Sequence, residues 1–534
     1  MPETKSFYKS EKFYFLLFIL LSAVGILINL PYCCDGMIKY DSSYQYALTL
    51  HPWKELWRLI MEDYSPPLYA LLLKLVCVVF GHTLRVMRFT NSIVIVGLVF
   101  LSMFPVRKAF GTKTGFIAAV GFICTSVNSF LFNEIRPTYL AYFFLTGTAV
   151  YAYLAFFEGK RSYYVGHAIF SVLSMYTHNL GMFGAFAIYV LVLFFALIQK
   201  DRKKFLSFFL SGIVCAVLYL PWLAVIMKQF GNVTDHYWKG KALPFFKIKA
   251  LCISSILFFD TPMLASTLVE NTLSILFKLL ILFFILKNLN IRNIKSLSDL
   301  KNAPLFSKEK RTVVFKGVFL ALLFVLPILT YEIIVRTVYP FVAIRYYLIF
   351  TGTAIVFFAV IFSKIETKVV PLLCAVGLIF NTTVIHMDIR KQMQNAGMTA
   401  MIDRIRNESE GEDICFLHSH EFSLGIMSYF FPDAKHYIYD GTWTVLNDLS
   451  VFSNEPVNIG EIDNIKDYTD HFYTFSPFFE NDEYMDTAEY FKNDPNYECS
   501  KLKRYDYPLT VTMERVELKQ NENSVSNSSD NDNE

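Results

Sequence analysis

A small set of ionisable and aromatic residues, spread over some three hundred positions, carries side chains suited to chemistry at a phosphate. Asp41 and Asp63 lie within the stretch YDSSYQYALTLHPWKELWRLIMEDYSPPLYALLLK, residues 40–74. Glu134, Arg136 and Tyr139 follow in NEIRPTY, His178 in YTHN, and Arg345 and Tyr346 in RYY. Lys239 and Lys241 stand in a lysine-bearing segment, residues 228–270. A guanidinium matches phosphate oxygens bidentately. A carboxylate nearby can serve as general base, worth about 10²–10⁴ in rate. Together they suit transfer of a group from a phosphate carrier to an external acceptor. Each residue also has a plainer use. Asp41 before Ser-Ser and an apolar-periodic run is a good helix cap, and Asp63 before Ser-Pro-Pro is an ordinary turn former. Glu134 and Arg136 could be solvated loop charges, His178 a structural polar group, and Arg345-Tyr-Tyr an interfacial anchor.

What turns these residues into one site is the membrane around them. Of 534 residues, 54% are hydrophobic and only 18% charged, with a mean hydropathy of +0.39. The charge deficit is confined to residues 12–386, while 387–534 have the composition of a soluble protein. The net charge of +3 is uninformative in such a chain, because loop charges are what matter. No basic tract with interleaved aromatics points to nucleic acid. There is no Walker loop, dinucleotide fingerprint or His-rich zinc motif.

A membrane-crossing helix needs roughly 20 mainly apolar residues. Runs of that kind fall near 13–33, 88–106, 115–133, 138–157, 163–180, 181–199, 205–227, 271–289, 312–331, 342–362 and 367–386, eleven in all. Lys5, Lys9 and Lys12 before the first run predict a cytoplasmic N-terminus, and the first run reads as a retained anchor. Alternation then puts Arg107/Lys108/Lys113, Lys160/Arg161, Lys200–Lys204, the basic residues of 287–311, and Lys364/Lys368 inside. Every inside loop is basic, as the positive-inside rule requires. The count depends on Pro66–Gly81, an apolar run with Lys74 inside it, being interfacial or re-entrant. With that choice, Asp41, Asp63, Glu134, Arg136, Tyr176, His178, Asn179, Glu332, Arg336, Arg345, Tyr346 and Tyr347 all lie at the outer surface. Charges at membrane depth are costly and tend to face cavities or partners. The lysines of 228–270 break the rule. Either a long loop escapes it, or an outward basic loop meets phosphate.

The tail carries short alternating runs near Asp413–Ser419 and His436–Tyr439, and helical patterns at Glu421–Phe431 and Asp486–Phe491. These predict a small α/β domain over 387–518, followed by a polar, disordered tail over 519–534. Residues 1–386 form the membrane domain. The nine cysteines make no metal pattern, although Cys415 and Cys499 could pair if extracytoplasmic.

The motifs in order resemble the GT-C superfamily of polytopic glycosyltransferases. They are most similar to the bacterial branch related to dolichyl-phosphate-mannose protein mannosyltransferases and lipid A aminoarabinose transferase. Asp41 matches that branch's first acid, and Asp63-Tyr-Ser-Pro-Pro-Leu-Tyr69 its Asp-x-His-Pro-Pro-Leu-Tyr motif. Glu134, Arg136 and Tyr139 match its Glu-Ala-Arg-x-Tyr segment, and Tyr176-Thr-His178 its Tyr-Thr-His motif. Leu220-Pro-Trp222 and Arg345-Tyr-Tyr347 match further recurrent features. The likeness covers about residues 10–390 and leaves the C-terminal domain outside.

The resemblance implies an all-α polytopic membrane domain of GT-C type, with about 11 transmembrane helices plus interfacial helices, and a small C-terminal extracytoplasmic α/β domain. It implies inverting transfer of a sugar from a polyprenyl-phosphate donor to an envelope glycan, lipid or protein. Asp41 would be the general base. Arg136, Arg345 and the lysines, Lys239 and Lys241, would stabilise the departing phosphate. Asp63, Glu134 and His178 would orient substrate, with Tyr139 and Tyr346 beside them. Ser42 replaces the usual Glu and Ser65 the usual His. These departures remove side chains with which relatives could hold a metal, so none is assigned. No cofactor is implied, and a divalent metal stays open. The expected partners are the lipid-linked donor, the acceptor and membrane lipids, but no nucleic acid. The expected place is the plasma membrane. A transporter or flippase of lipid-linked sugars and a non-catalytic membrane scaffold are the competing readings.

Overall fold

The computed structural model describes residues 11–33, 38–63, 65–236, 308–337, 344–364, 383, 397–444, 446, 448–452, 455–475, 487–505 and 511–519. The expected span 271–289, all of the expected span 367–386 except residue 383, Lys239 and Lys241, and the tail beyond Lys519 lie outside these residues. The described chain divides into two compact units. One comprises Met1–Cys34 and Asp63–Arg390, the other Asp35–Glu62 and Lys391–Glu534.

The first unit is a helical bundle. It contains α1 (Glu11–Asn29) from the N-terminal segment. Its other helices, after α2 (Tyr40–Leu50) and α3 (Trp53–Glu62) of the second unit, are α4 (Leu68–Phe80), α5 (Leu84–Thr90), α6 (Ser92–Leu101), α7 (Arg107–Phe110), α8 (Thr112–Cys124), α9 (Ser126–Asn133), α10 (Pro137–Glu158), α11 (Arg161–Thr177), α12 (Asn179–Ile198), α13 (Arg202–His236), α14 (Lys308–Thr337) and α15 (Ile344–Ser363). Among the described residues six helices are long and apolar enough to cross a membrane, or seven if the bent α14 counts as one span. The chain is therefore a multi-pass membrane protein. The sequence expected eleven spans, and the structure revises individual members. Residues 115–133 are not one helix, because Thr125 is extended (φ −74°, ψ 145°) and separates α8 from α9. α5, α6 and α7 run together as a rod through a π-helical turn at Ser102–Val106 that contains Pro105. The rod begins at Leu84 rather than at residue 88.

α4 has thirteen residues, a length of about 20 Å at 1.5 Å per residue. That falls short of the ~30 Å hydrocarbon core. Gly81 ends it at φ +98°, a conformation open to glycine at little cost. The apolar run after Pro66 is thus a short helix, as the charge pattern requires.

Contacts among the basic turns define one end of the bundle. Arg107 donates to both oxygens of Glu11 at 2.9 and 2.7 Å, and lies 3.9 Å from the Tyr14 ring centroid. Lys108 faces Tyr163 across 5.3 Å. Lys204 faces Phe156 across 5.0 Å, and Lys316 faces Phe157 across 5.3 Å. The start of α1, the α7–α8, α10–α11 and α12–α13 turns, and the beginning of α14 therefore share one end. Cations above aromatic rings at such an end are favourable and suit the membrane interface.

The second unit contains α2, α3, α16 (Gly397–Glu408), α17 (Glu421–Phe430), α18 (Thr487–Asn493) and a mixed sheet. Its strands are β1 (Cys415–His420), β2 (Lys435–Trp443), β3 (Val457–Asn458), β4 (His471–Phe475), β5 (Tyr497–Tyr505) and β6 (Val511–Leu518), in spatial order β3-β2-β1-β4-β6-β5. The first four pair in parallel, and β6 and β5 complete the sheet antiparallel. β1 is buried at every residue, as a central parallel strand should be. Cys415, Leu417, Tyr437, Phe472, Phe491 and Val516 form the core. The bridge between Cys415 and Cys499 that the sequence leaves open is not formed, and both thiols are free. β4 and β6 stand between their strands, a separation of about 14 Å at 4.8 Å per strand, and a disulfide spans no more than ~7 Å between Cα atoms.

Three histidines sit inside this unit. His418 Nε2 and His436 Nδ1 are 2.9 Å apart, and His418 Nδ1 meets Ser423 Oγ at 2.9 Å. His420 accepts from the Phe422 backbone amide at 3.0 Å and caps α17. Burial lowers all three pKa values. His420 falls to about 4, and so does His436 despite the opposing pull of the Phe431 carbonyl. His418 is likewise held well below the usual histidine value, by burial first and by His436 beside it. In an unfolded chain histidine binds its proton near pH ~6.5. The unfolded state thus binds more protons between that pH and the folded values, so acid favours unfolding. The domain is expected to be at full stability above pH ~6.5, and to lose it progressively as pH falls toward about 4. Hydrogen exchange of β1 and β2 amides in full-length protein across that range would show rising rates on acidification; flat rates would contradict it.

Candidate functional site

Opposite the basic turns, the helices are joined by elbows that carry the acids, arginines and histidine singled out above. The sharpest is Asn133–Arg136. α9 ends at Asn133, Glu134 is extended (φ −90°, ψ 131°), and Arg136 is extended (φ −147°, ψ 155°) before Pro137 opens α10. A residue before proline is driven out of the helical region, and proline is well suited to the first helical position. The sequence thus dictates the break. Within it Arg136 Nε lies 3.5 Å from Glu134 Oε2, with side chains 11% and 8% exposed. This is a largely buried ion pair of limited access.

Asn91, at the junction of α5 and α6, ties the elbow down. Its side-chain amide donates to the Phe132 carbonyl at 2.8 Å and to the Glu134 carbonyl at 2.9 Å, and the residue is 2% exposed. It thereby satisfies two carbonyls that the helix break leaves without helical partners. A second tie comes from the Tyr139 hydroxyl, which donates to Asn128 Oδ1 across the α9–α10 junction. Arg88, one turn before Asn91, is also almost fully buried. Neither Asn91 nor Arg88 was singled out in the sequence. The available signal was a polar or charged residue inside an apolar run, here Arg88-Phe-Thr-Asn-Ser92.

His178 occupies the α11–α12 elbow, itself extended (φ −156°, ψ 139°), and its Nδ1 accepts from the Leu180 amide at 3.1 Å. Its ring meets Tyr346, on α15, edge to face at 5.7 Å. The elbow is as tight as it is because residue 181 is glycine: a Cβ there would lie 2.3 Å from the Ser174 carbonyl oxygen. Beside Tyr346, the Tyr347 hydroxyl donates to Glu332 Oε1, and Arg336 Nε donates to Glu332 Oε2 at 2.9 Å. Glu332 is buried and so holds α14 to α15 through a paired carboxylate. Arg345 is the second residue of α15.

The two acids of the opening stretch fall in different units. Asp63 belongs to the bundle, and its backbone carbonyl accepts from the Gln229 side chain of α13. Asp41 belongs to the sheet unit, in the first turn of α2, half-buried. Ser42 is buried in the same helix, its amide bonded to the Lys39 carbonyl at 2.9 Å. Within the bundle the structure thus joins Glu134 to Arg136, ties Tyr139 to the same elbow, and brings His178 to Tyr346. Among the described residues no cluster of three or more His, Cys, Asp or Glu side chains has the arrangement of a metal site.

The fold is that of a mostly helical polytopic membrane bundle with a small C-terminal sheet domain. It is shared with the crystal structure of ArnT from Cupriavidus metallidurans in the apo state, at a TM-score of 0.55 over 93% of this chain and 97% of that one, with 11% sequence identity. The structure of ArnT from the same organism bound to undecaprenyl phosphate aligns at a TM-score of 0.49 and 10% identity, over 95% and 98% of the two chains. No protein-family model and no curated protein matches the sequence.

Replacing Asn91 by Ala should strip two buried carbonyls of their donor, at a cost of about 1–3 kcal/mol. Thermal unfolding of the purified protein would register the loss, and amide exchange should rise locally at residues 131–136. Exchange unchanged there would mean that Asn91 does not hold the elbow.

Proposed function

We propose that this protein is a membrane glycosyltransferase that moves a sugar from a polyprenyl-phosphate carrier to an extracytoplasmic acceptor with inversion at the anomeric carbon. The observation that carries the reading is the buried Glu134–Arg136 pair, held rigidly at the end of the bundle away from the basic turns. A fixed guanidinium in a site of low polarity suits charge that develops on a departing phosphate, and it needs no reorganisation at the moment of reaction. The ArnT-like fold supports the same class of chemistry.

In this reaction the acceptor hydroxyl or amine attacks the anomeric carbon from the face opposite the phosphate. The new bond forms as the bond between the anomeric carbon and the phosphate oxygen breaks, which inverts the centre. Asp41 takes the acceptor's proton, and polyprenyl phosphate departs as the anion. Arg136 stabilises that anion, with Arg345, Lys239 and Lys241 as further cations toward it. Glu134 fixes the plane of the Arg136 guanidinium. Asp63, Tyr139, His178 and Tyr346 orient donor and acceptor. The acceptor is an envelope glycan, lipid or protein. By the positive-inside rule the basic turns face the cytoplasm, so the elbows and the sheet domain face outward from a plasma membrane.

The test is release of free polyprenyl phosphate from a lipid-linked sugar by purified full-length protein, with cell-envelope extract supplying acceptor. Asp41→Asn, matched to wild type in thermal unfolding, should lower turnover about 10²–10⁴-fold with little change in donor KM. Arg136→Gln should both lower kcat and raise donor KM. Equal release by wild type and Asp41→Asn would remove the role given to Asp41. Passage of the intact lipid-linked sugar across a vesicle membrane without release would make the protein a transporter instead.

A further inference from the structure

The C-terminal sheet domain has no part in the chemistry just described, yet it holds the helix on which Asp41 stands. Tyr40, the residue before Asp41, packs its ring on Phe422 of α17, with centroids 4.5 Å apart and planes at 33°. It also reaches the Phe452 ring at 6.5 Å. Further along α2, Tyr46 meets Tyr429 edge to face at 4.9 Å and 89°. Phe422, Gly425 and Tyr429 follow one another at helical spacing and line one face of α17. The pairing advances in the same direction along both helices. Residue 425 has to be small. A Cβ there would lie 2.8 Å from Tyr40 Cδ2, 2.9 Å from Cε2 and 3.1 Å from Phe452 Cε1.

A second grip holds the far end of α2 and the helix after it. His51 Nε2 meets the Val451 carbonyl at 2.8 Å, and Arg58 donates to Asp448 at 2.7 Å and to Ser450 Oγ at 3.1 Å. Burial raises the Asp448 carboxyl, but hydrogen bonds from Ser450 and Arg58 outweigh it and leave its pKa at about 2. α17 itself is anchored in the sheet, since Ser423 Oγ donates to the His420 carbonyl at 2.8 Å and meets His418 at 2.9 Å. The chain of contact runs from β1 through α17 to Tyr40, and Asp41 is the next residue.

We infer that the C-terminal domain is the positioning platform of the general base, and that Phe422 and Gly425 are positioning residues that act on Asp41 through Tyr40. The inference rests on the role given to Asp41 above. It assigns to a domain outside the sequence resemblance a part in turnover, distinct from donor binding, which is left to the bundle.

The experiment uses full-length protein carrying Gly425→Val, Phe422→Ala or Phe422→Tyr, read by amide exchange of residues 40–50 and by release of polyprenyl phosphate. Gly425→Val and Phe422→Ala should each raise exchange in α2 and lower kcat at least tenfold, with donor KM within twofold of wild type. They should also shift the acid limb of the kcat/KM profile, since Asp41 changes surroundings. Phe422→Tyr keeps the ring and should retain wild-type kcat and exchange. If Gly425→Val does not fold, Phe422→Ala, a truncation without added bulk, decides alone. If Asp41→Asn abolishes release while Phe422→Ala keeps wild-type kcat, the positioning inference is overturned and the transferase reading stands. Unchanged exchange in α2 overturns it equally. If Asp41→Asn releases lipid phosphate as wild type does, the reading of Asp41 fails and this inference falls with it, whatever the exchange shows.

Discussion

The side-chain amide of Asn91 is the small interaction on which the bundle's polar end depends. Breaking a helix at membrane depth frees carbonyls that have no water to turn to, and an unsatisfied group there costs several kcal/mol. The chain breaks at Asn133–Arg136 regardless, because Pro137 demands it. One amide, reaching from another helix pair, accepts responsibility for two of the exposed carbonyls. With the backbone settled, Glu134 and Arg136 can be paired and buried without further support from solvent. The same logic recurs at α11–α12, where His178 satisfies the Leu180 amide and then presents its ring to Tyr346. Both elbows solve their own backbone problem first, and so become rigid enough to hold a charge or a ring in place.

The polar elbows were readable in the sequence because each interrupts an apolar run with residues that no span needs. Glu134, Arg136 and His178 stand out for that reason, and the proline after Arg136 announces the break. The short helix after Pro66 was readable from charge, since letting it span would reverse every basic turn. The break at Thr125 was not. Its signal was a polar cluster, Thr125-Ser-Val-Asn-Ser129, with Thr125 in the cap position of α9, but the apolar runs on either side are together long enough to read as one span. Asn91 was missed for a related reason: a single amide in an apolar segment looks tolerated until its partners, some forty residues away, are known. The cysteines could not be decided from sequence: two thiols in one small domain leave a bridge open, and the strand order is what rules it out.

The association of α2 with the C-terminal domain was the least readable feature. Local pattern gives an amphipathic stretch after the first span, and it gives strands and a helix in the tail. It cannot say that the two belong together, because the contacts join residues four hundred positions apart. The outer face of α3 stays apolar, with Trp53, Trp57 and Met61 exposed on it and Leu56, Leu59 and Ile60 buried behind. Tryptophan at such a face suits the boundary between water and lipid. The sheet unit is thus assembled from a loop between membrane segments and a domain that follows them all.

That discontinuity bears on how the molecule is made. Residues 35–62 leave the ribosome roughly 360 residues before α17, on which α2 packs. At about 5–20 residues per second, α2 waits tens of seconds without α17, and all that time Tyr40 and Tyr46 lack the Phe422 and Tyr429 rings they pack on in the finished protein. A protein built in this order needs its first loop shielded during synthesis, by lipid or by a chaperone. It also cannot complete Asp41's surroundings until translation is nearly over. Chains that stop short of the sheet would insert in the membrane normally and still lack a finished loop.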